Sequence, residues 1–171
     1  KNELIKPTGM VAAFSASCAA GVTSLKCSVL APNGSIYPII VDNKVYISGQ
    51  IPLKKGDIVY KGKVGKNITI EDGQAASQLC LLNTMAVLNL ALQNNLNKVK
   101  CCIKINVFIN SADDFFDQPV VADGASNLIK SIFKVNGNHA RSAVSCNSLP
   151  KNASVEIDSI FQIVHWIRNT I

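Results

Sequence analysis

Hydrophobic and polar residues alternate along several short stretches of the chain, a period of two that is typical of half-buried β-strands. In CIKINVFIN (102–110), isoleucine and valine at the odd positions face one way, while Lys104 and Asn106 face the other. The pair Asp42–Asn43 separates two such stretches and indicates a tight turn. We predict six strands: IYPIIV (36–41), KVYISG (44–49), IVYKGKVG (58–65), CIKINVFIN (102–110), ARSAVSC (140–146) and SVEIDSIFQIVHW (154–166).

The period changes to that of a helix in two longer stretches. Residues 69–95 begin with Thr69 and carry Asp72 three positions later, an approximate capping box, and leucines and alanines then recur at helical spacing. A second helix is predicted from about Gln118 to Lys134, with Pro119 in its first turn. Each helix has one apolar stripe and therefore one face to bury.

The order of these elements, ββ(β)αβαββ, indicates an α/β (α+β) fold with one mixed six-stranded sheet and both helices on one face. In a single chain, only the N-terminal segment is left to cover the opposite sheet face. Oligomerisation is the economical way to cover such a face. Residues 1–30 differ in sequence pattern from the rest of the chain. We predict that they are an appendage to a domain formed by residues 31–171.

Composition and charge narrow the class of protein. With 171 residues, 48% hydrophobic and 16% charged, the chain resembles one globular domain rather than a disordered segment. The net charge of +6 permits RNA binding, but the lysines are scattered and lack interleaved aromatics, which favours a solvated basic surface. No stretch is long and apolar enough to predict a membrane span.

The six cysteines form no CxxC pair and no Cys/His cluster with zinc spacing, so we expect no metal site. Cys80, Cys101 and Cys102 lie in apolar stretches and are predicted to be small core residues. Thiols of this kind indicate a reducing compartment, and we expect a cytoplasmic location, with an organelle as the alternative.

Arg141 stands out because the chain has only two arginines and its other cations are lysines. Strand alternation places Arg141 with Ala143 and Ser145 on one strand face, and Glu156 with Asp158 on one face of the last strand. If the two strands are neighbours, Arg141 and Glu156 can meet. They then form either an interface salt bridge, or a site where the planar guanidinium binds a carboxylate and Glu156 holds or deprotonates a water.

Several motifs resemble those of the Rid (reactive intermediate deaminase) family, also called the YjgF family and often named endoribonuclease L-PSP or translation inhibitor proteins. They are SGQIP (48–52), ARSAV (140–144) and LPKNASVEIDSI (149–160), and the resemblance extends from about residue 36 to residue 164. YKGKVG, DQPVVADGAS and HARSAV further resemble a longer, less characterised branch, in which a histidine stands where the better-known enzymes have proline. His139 is then a feature of this branch.

The resemblance implies a fold like that of bacterial chorismate mutase. It implies a homotrimer in which three sheets form a central barrel, with the helices outside and three clefts between subunits. The activity it implies is hydrolysis of enamines and imines, such as 2-imino acids, to 2-keto acids and ammonia. No cofactor is implied, and the implied partner is a small carboxylate substrate.

The resemblance also assigns roles by position. Arg141 would clamp the substrate carboxylate, and Glu156 would hold the attacking water or assist proton transfer. Gly49 would offer its backbone N–H, Ala143 would offer its backbone carbonyl, and Ser48 would line the cleft.

Two functional residues of the family have no single equivalent here. Either Ser35 or Tyr37 can replace its cleft tyrosine, and either Ser126 or Asn127 can replace its helix asparagine. Three roles stay open for His139: a loop residue, a capping donor or a substrate contact.

Two other functions stay open. One is a ribonuclease, the activity behind the family's common name, which the basic charge permits. The two histidines, His139 and His165, lie on different elements, however, and indicate no acid–base pair. The other is a non-catalytic module that binds a small molecule or a protein in the same cleft. A steep salt dependence of RNA binding would favour the first, and carboxylate binding without turnover would favour the second.

Overall fold

The last strand in the described part of the chain lies at the centre of the main sheet. The computed structural model describes residues 38–164. The helices are α1 (Ile70–Ala91) and α2 (Gln118–Phe133). The strands are β1 (Ile39–Val41), β2 (Lys44–Gln50), β3 (Leu53–Lys54), β4 (Asp57–Ile58), β5 (Val99–Asn110), β6 (Ala140–Cys146) and β7 (Val155–Ile163). The main sheet has the order β1-β2-β7-β5-β6, and it is mixed because β5 and β6 run parallel while the other pairs run antiparallel.

The predicted strand over residues 58–65 is wrong, so the main sheet has five strands rather than six in the part of the chain that the structure describes. Only β4 is extended at the start of this region, and it pairs with β3 as a small separate sheet. The backbone φ angle is positive at Tyr60 (60°), Gly62 (128°) and Gly65 (83°). Because positive φ turns the chain away from the extended conformation, the segment forms a loop instead of a strand.

Both predicted helices form. α1 begins after Thr69, whose side-chain oxygen accepts a hydrogen bond from the Asp72 backbone N–H at 3.1 Å, which is the predicted capping contact. It ends at Ala91 rather than at residue 95, because Gln93 and Asn94 adopt positive φ angles that end the helix. α2 agrees with its predicted range to within one residue.

Both helices pack on the same face of the sheet and enclose an aliphatic core. Each fully buried leucine, isoleucine, methionine or phenylalanine side chain contributes about 1.5–3 kcal/mol to the stability of the fold, relative to an exposed one. Cys80 and Cys102 also lie in the core, as predicted, and burial raises the pKa of the Cys102 thiol to about 12. Cys101 is only half-buried. The largest core side chains include Leu81, Met85, Leu88, Ile105, Ile157 and Phe161.

The other face of the main sheet has no covering element among residues 38–164. Ile39, Tyr46 and Val144 lie on this open face with 58%, 41% and 46% of their surface exposed. Exposed apolar residues grouped on one sheet face are typical of an interaction surface. In the same part of the chain, no helix is long and apolar enough to cross a membrane.

Candidate functional site

Arg141 points from the edge strand β6 toward the helices. In the parallel pairing of β5 and β6, Arg141 lies opposite Ile105, which is buried beneath the helices. Paired residues direct their side chains to the same face, so the guanidinium reaches α2. There its Nη1 donates to Asp123 Oδ1 at 2.7 Å and to Ser126 Oγ at 3.1 Å. The Arg141 side chain keeps 23% of its surface exposed, which leaves it accessible to a ligand.

His139 supports this arrangement from the residue before β6. Its Nδ1 lies 2.6 Å from the carbonyl oxygen of Gly137, which can only accept, so Nδ1 carries a proton. Its Nε2 lies 3.0 Å from Ser126 Oγ and accepts from that hydroxyl when the ring is neutral. Ser126 therefore links Arg141 to His139. Ser126 is buried and Asn127 is exposed, so Ser126 is the helix residue that joins the cluster.

Glu156 lies on the open face, against the backbone of Gly49. The register between β2 and β7 shifts at Ser48 and Gly49, which form a bulge. A side chain at position 49 would collide with the Glu156 carboxylate, so glycine permits this close approach. Burial raises the pKa of Glu156, and the nearby negative charge of Asp158 raises it further.

A cavity of about 360 Å³ opens on the same face of the sheet. In its wall, Asn106 Nδ2 donates to Asp158 Oδ1 at 2.7 Å and so fixes the orientation of that carboxylate. Asp158 lies two residues from Glu156 on the same strand face, so the acidic side of the cavity continues toward Glu156. The size fits a small organic molecule. The lining residues are Ile39, Tyr46, Ile47, Ser48, Gly49, Asn106, Asp158, Ser159 and Ile160.

Arg141 and Glu156 do not meet within one chain, because their strands are not neighbours as the predicted contact requires. β5 lies between their strands, and Glu156 pairs with Phe108 on the face opposite to Ile105 and Arg141. The salt-bridge partner of Arg141 in the described residues is Asp123. The grouping of residues by strand face is nevertheless as predicted; the order of the strands is what differs.

The remaining predicted site residues lie in different parts of the molecule. Ser48 and Gly49 lie in the bulge beside the cavity. Ala143 shares the helix-facing side of β6 with Arg141 and packs against the core. Ser35 and Tyr37 lie outside the described residues, so their predicted roles stay predictions.

Asp123 is the residue of this cluster that the sequence reasoning missed. The stretch DQPVVADGAS contains both Asp123 and Ser126, which are three residues apart and share one face of a helix. That spacing could have suggested a joint contact. Strand alternation points to a carboxylate on a neighbouring strand, whereas the carboxylate that contacts Arg141 lies on a helix.

The described residues contain no group of three or more His, Cys, Asp or Glu side chains that could hold a metal ion. The groups brought together around Arg141 are the Asp123 carboxylate, the Ser126 hydroxyl and the His139 ring, whereas Glu156 lies on the opposite face of the sheet. The cluster around Arg141 can bind an anion, and the Glu156 carboxylate can accept or donate a proton on the other face.

The sequence and the fold are both similar to those of known proteins. Residues 15–162 match the family model described as "YjgF/chorismate mutase-like, putative endoribonuclease". The protein Atu1372 from Agrobacterium tumefaciens has a similar crystal structure, with a TM-score of 0.75 and 41% sequence identity. That similarity covers 77% of this chain and 82% of the bacterial one.

Two curated proteins are also similar in sequence. Protein TCP17 from Trypanosoma cruzi is 39% identical over 121 residues, which cover 70% of this chain and 75% of that protein. A protein from Dermatophagoides farinae named 2-iminobutanoate/2-iminopropanoate deaminase is 32% identical over 123 residues, which cover 72% of this chain and 80% of its own.

Proposed function

This chain belongs to the Rid (YjgF/chorismate mutase-like) family, and we propose that it hydrolyses 2-imino acids to 2-keto acids and ammonia. The structural observation that carries the proposal is Glu156, a carboxylate of raised pKa held against Gly49 beside a cavity. The 32% identity to a protein named 2-iminobutanoate/2-iminopropanoate deaminase supports the same reaction class.

The proposed active site lies between two copies of the chain in a homotrimer. Arg141 is on β6, an edge strand, and Glu156 is on the open, partly apolar face of the sheet. Because the two residues face away from each other in one chain, they can share a cleft only across a subunit boundary. A trimeric barrel that buries the open faces would place the β6 edge of one subunit beside the Glu156 face of the next.

Arg141 is suited to bind the substrate carboxylate. Both of its hydrogen bonds to α2 use Nη1, so neither uses the edge formed by Nε and Nη2. That edge presents two parallel N–H donors at the spacing of the two carboxylate oxygens. A lysine would supply the charge without this planar geometry.

The chemistry requires only a positioned water and proton transfer. Water adds to the electrophilic iminium carbon, its oxygen forms the new C–O bond, and the C=N electron pair moves to nitrogen. Glu156 accepts one proton from this water and returns it to the amine nitrogen of the carbinolamine. The C–N bond then breaks and its electron pair leaves with ammonia, while a lone pair of the hydroxyl oxygen forms the C=O bond. Glu156 accepts the hydroxyl proton and passes it to the ammonia, so a 2-keto acid and an ammonium ion leave.

Other residues of the cleft assist this sequence. The Gly49 backbone N–H is assigned to the reacting group and the Ala143 carbonyl to the water, while Ser48 lines the cleft. His139 acts through Ser126, which it contacts at 3.0 Å. The proposal uses no metal and no cofactor, and it places the protein in the cytoplasm.

The direct experiment is hydrolysis of freshly generated 2-imino acids. An amino-acid oxidase supplies the imine, and semicarbazide traps what remains of it. We expect the unmodified chain to accelerate imine loss, Arg141→Ala to abolish the acceleration, and Lys130→Ala, which removes an exposed cation on α2, to retain it. No acceleration with imines of several side chains would refute the proposal.

The endoribonuclease in the family description defines the second candidate function. The same preparations should therefore be incubated with RNA at several salt concentrations. The ribonuclease would be favoured over the deaminase if the preparations cleave RNA but hydrolyse no imine. The rate of RNA cleavage should then fall steeply as salt is added.

A further inference from the structure

We propose that Asp123 is a positioning residue for Arg141. It holds one corner of the guanidinium and thereby presents the opposite edge to the substrate carboxylate. The inference rests on the proposed function in one respect, namely that the ligand of Arg141 is a carboxylate.

The hydrogen bonds to Arg141 define the orientation of its guanidinium. Asp123 Oδ1 and Ser126 Oγ both accept from Nη1, at 2.7 Å and 3.1 Å. Two acceptors, one helical turn apart, fix the Nη1 corner of the guanidinium. The group therefore cannot rotate freely about the Cδ–Nε bond. The Nε–Nη2 edge therefore keeps one direction, and less conformational freedom is lost when a carboxylate binds.

The segment that carries Asp123 is itself held firmly. A Cβ on the neighbouring Gly124 would meet the backbone of Gln74, so α2 packs directly against α1 at this point. Ser77 Oγ accepts a hydrogen bond from the Ala125 backbone N–H at 3.1 Å. The Gln74 side chain also donates to the carbonyl oxygen of residue 120 at 2.9 Å. These contacts give the carboxylate a rigid base, which a positioning role requires.

Ser126 and His139 complete the support. The pair resembles a nucleophile and its base, but Ser126 is only 6% exposed and its hydroxyl already bonds to Arg141. A buried hydroxyl that contacts a substrate-binding side chain acts on that side chain and not on the substrate. Asp123, Ser126 and His139 therefore act together, and their joint effect is to fix the orientation of Arg141.

Asp123 has two opposing effects on carboxylate binding. Its hydrogen bond orients Arg141, whereas its negative charge repels the incoming anion. The Asp123 side chain is 47% exposed, so solvent weakens the repulsion more than the short, directed hydrogen bond. Orientation therefore outweighs repulsion, and removing the side chain weakens binding.

Binding of 2-oxobutanoate, a 2-keto acid, to the full chain tests this by calorimetry, with 2-oxobutanamide as the neutral analogue. We expect Asp123→Ala to weaken 2-oxobutanoate binding by about tenfold, the size of one lost charge-assisted hydrogen bond. Asp123→Asn retains an acceptor oxygen and should restore most of the affinity. Affinity for the neutral analogue and the melting temperature should not change, and Asp114→Ala, at an exposed position before α2, should behave like the unmodified chain.

Unchanged or tighter binding of 2-oxobutanoate by Asp123→Ala would overturn the inference, as would an equal loss for both ligands. The measurement does not depend on turnover. If the chain deaminates imines but Asp123→Ala binds normally, the inference fails and the proposed function stands. If no imine is hydrolysed while the variants bind as expected, the positioning role stands and the proposed function fails.

Discussion

Arg141 and Glu156 lie on opposite faces of one five-stranded sheet, with β5 between their strands. A substrate bound by Arg141 in one chain is therefore out of reach of Glu156 in the same chain. Among residues 38–164, β6 lies at the edge of the sheet and the face around Glu156 is uncovered, which allows two different subunits to supply these groups. The proposed deaminase site consequently depends on assembly.

The contact between Gly49 and Glu156 predicts that Gly49→Ala impairs the chemical step. The added Cβ would meet the Glu156 carboxylate, the movable end of a side chain, so the carboxylate shifts while the fold survives. Because a misplacement of about 1 Å can cost about 100-fold in rate, we expect kcat to fall at least about tenfold. Steady-state kinetics with a 2-imino acid measures this.

Two controls separate this effect from unfolding or lost binding. The melting temperature and the affinity for 2-oxobutanoate should stay near those of the unmodified chain, because Arg141 is not altered. A kcat equal to that of the unmodified chain would show that the Glu156 carboxylate does not act from this position.

The raised pKa of Glu156 predicts the acidic limb of the pH profile. Glu156 must be ionised to accept a proton from water, so kcat/KM falls as the pH drops through its pKa, which lies above the ordinary value of 4.5. Burial is the main cause of the rise and Asp158 the second. Asp158→Asn removes the neighbouring charge and should therefore move the limb to lower pH without abolishing the remaining shift. A limb that does not move would mean that another group titrates.

The close approach of the two helices predicts a stability effect at Gly124. A Cβ there would meet backbone atoms of Gln74, so the helices must separate, and we expect Gly124→Ala to cost about 1–3 kcal/mol. Gly73→Ala is the matched control: its Cβ would meet side-chain methyl groups at 3.2–3.3 Å, and the gain in helix propensity offsets the crowding. Chemical denaturation compares the two variants. An equal or smaller loss for Gly124→Ala would contradict this account of the packing.

Much of the fold could be predicted from the sequence because its signals are local. Strand period and helix period located β5, β6, β7 and both helices, and Thr69 marked the start of α1. The fold class and family predicted from the motifs are confirmed by the family match over residues 15–162. The segment at 58–65 failed because its pattern resembles a strand, whereas positive φ at Tyr60 is a backbone state that residue type does not reveal.

The candidate site was harder to predict than the fold because it depends on non-local pairing. Alternation correctly grouped Glu156 with Asp158, but nothing local indicates that β5 inserts between β6 and β7. The contact between Arg141 and Asp123 depends on how α2 lies over the sheet, and this is decided by tertiary packing. The roles of the site residues, and the boundary between residues 1–30 and 31–171, stay predictions.

The most direct test of the central claim mixes two inactive variants. Chains carrying Arg141→Ala and chains carrying Glu156→Gln are co-expressed with different tags, and trimers containing both are assayed for 2-imino acid hydrolysis. If each cleft takes Arg141 from one subunit and Glu156 from the next, every trimer that contains both variants has both groups in one of its three clefts, or about one third of them. We expect about that fraction of the unmodified activity, while each variant alone stays inactive. Activity no greater than the sum of the two variants would contradict a site shared between subunits.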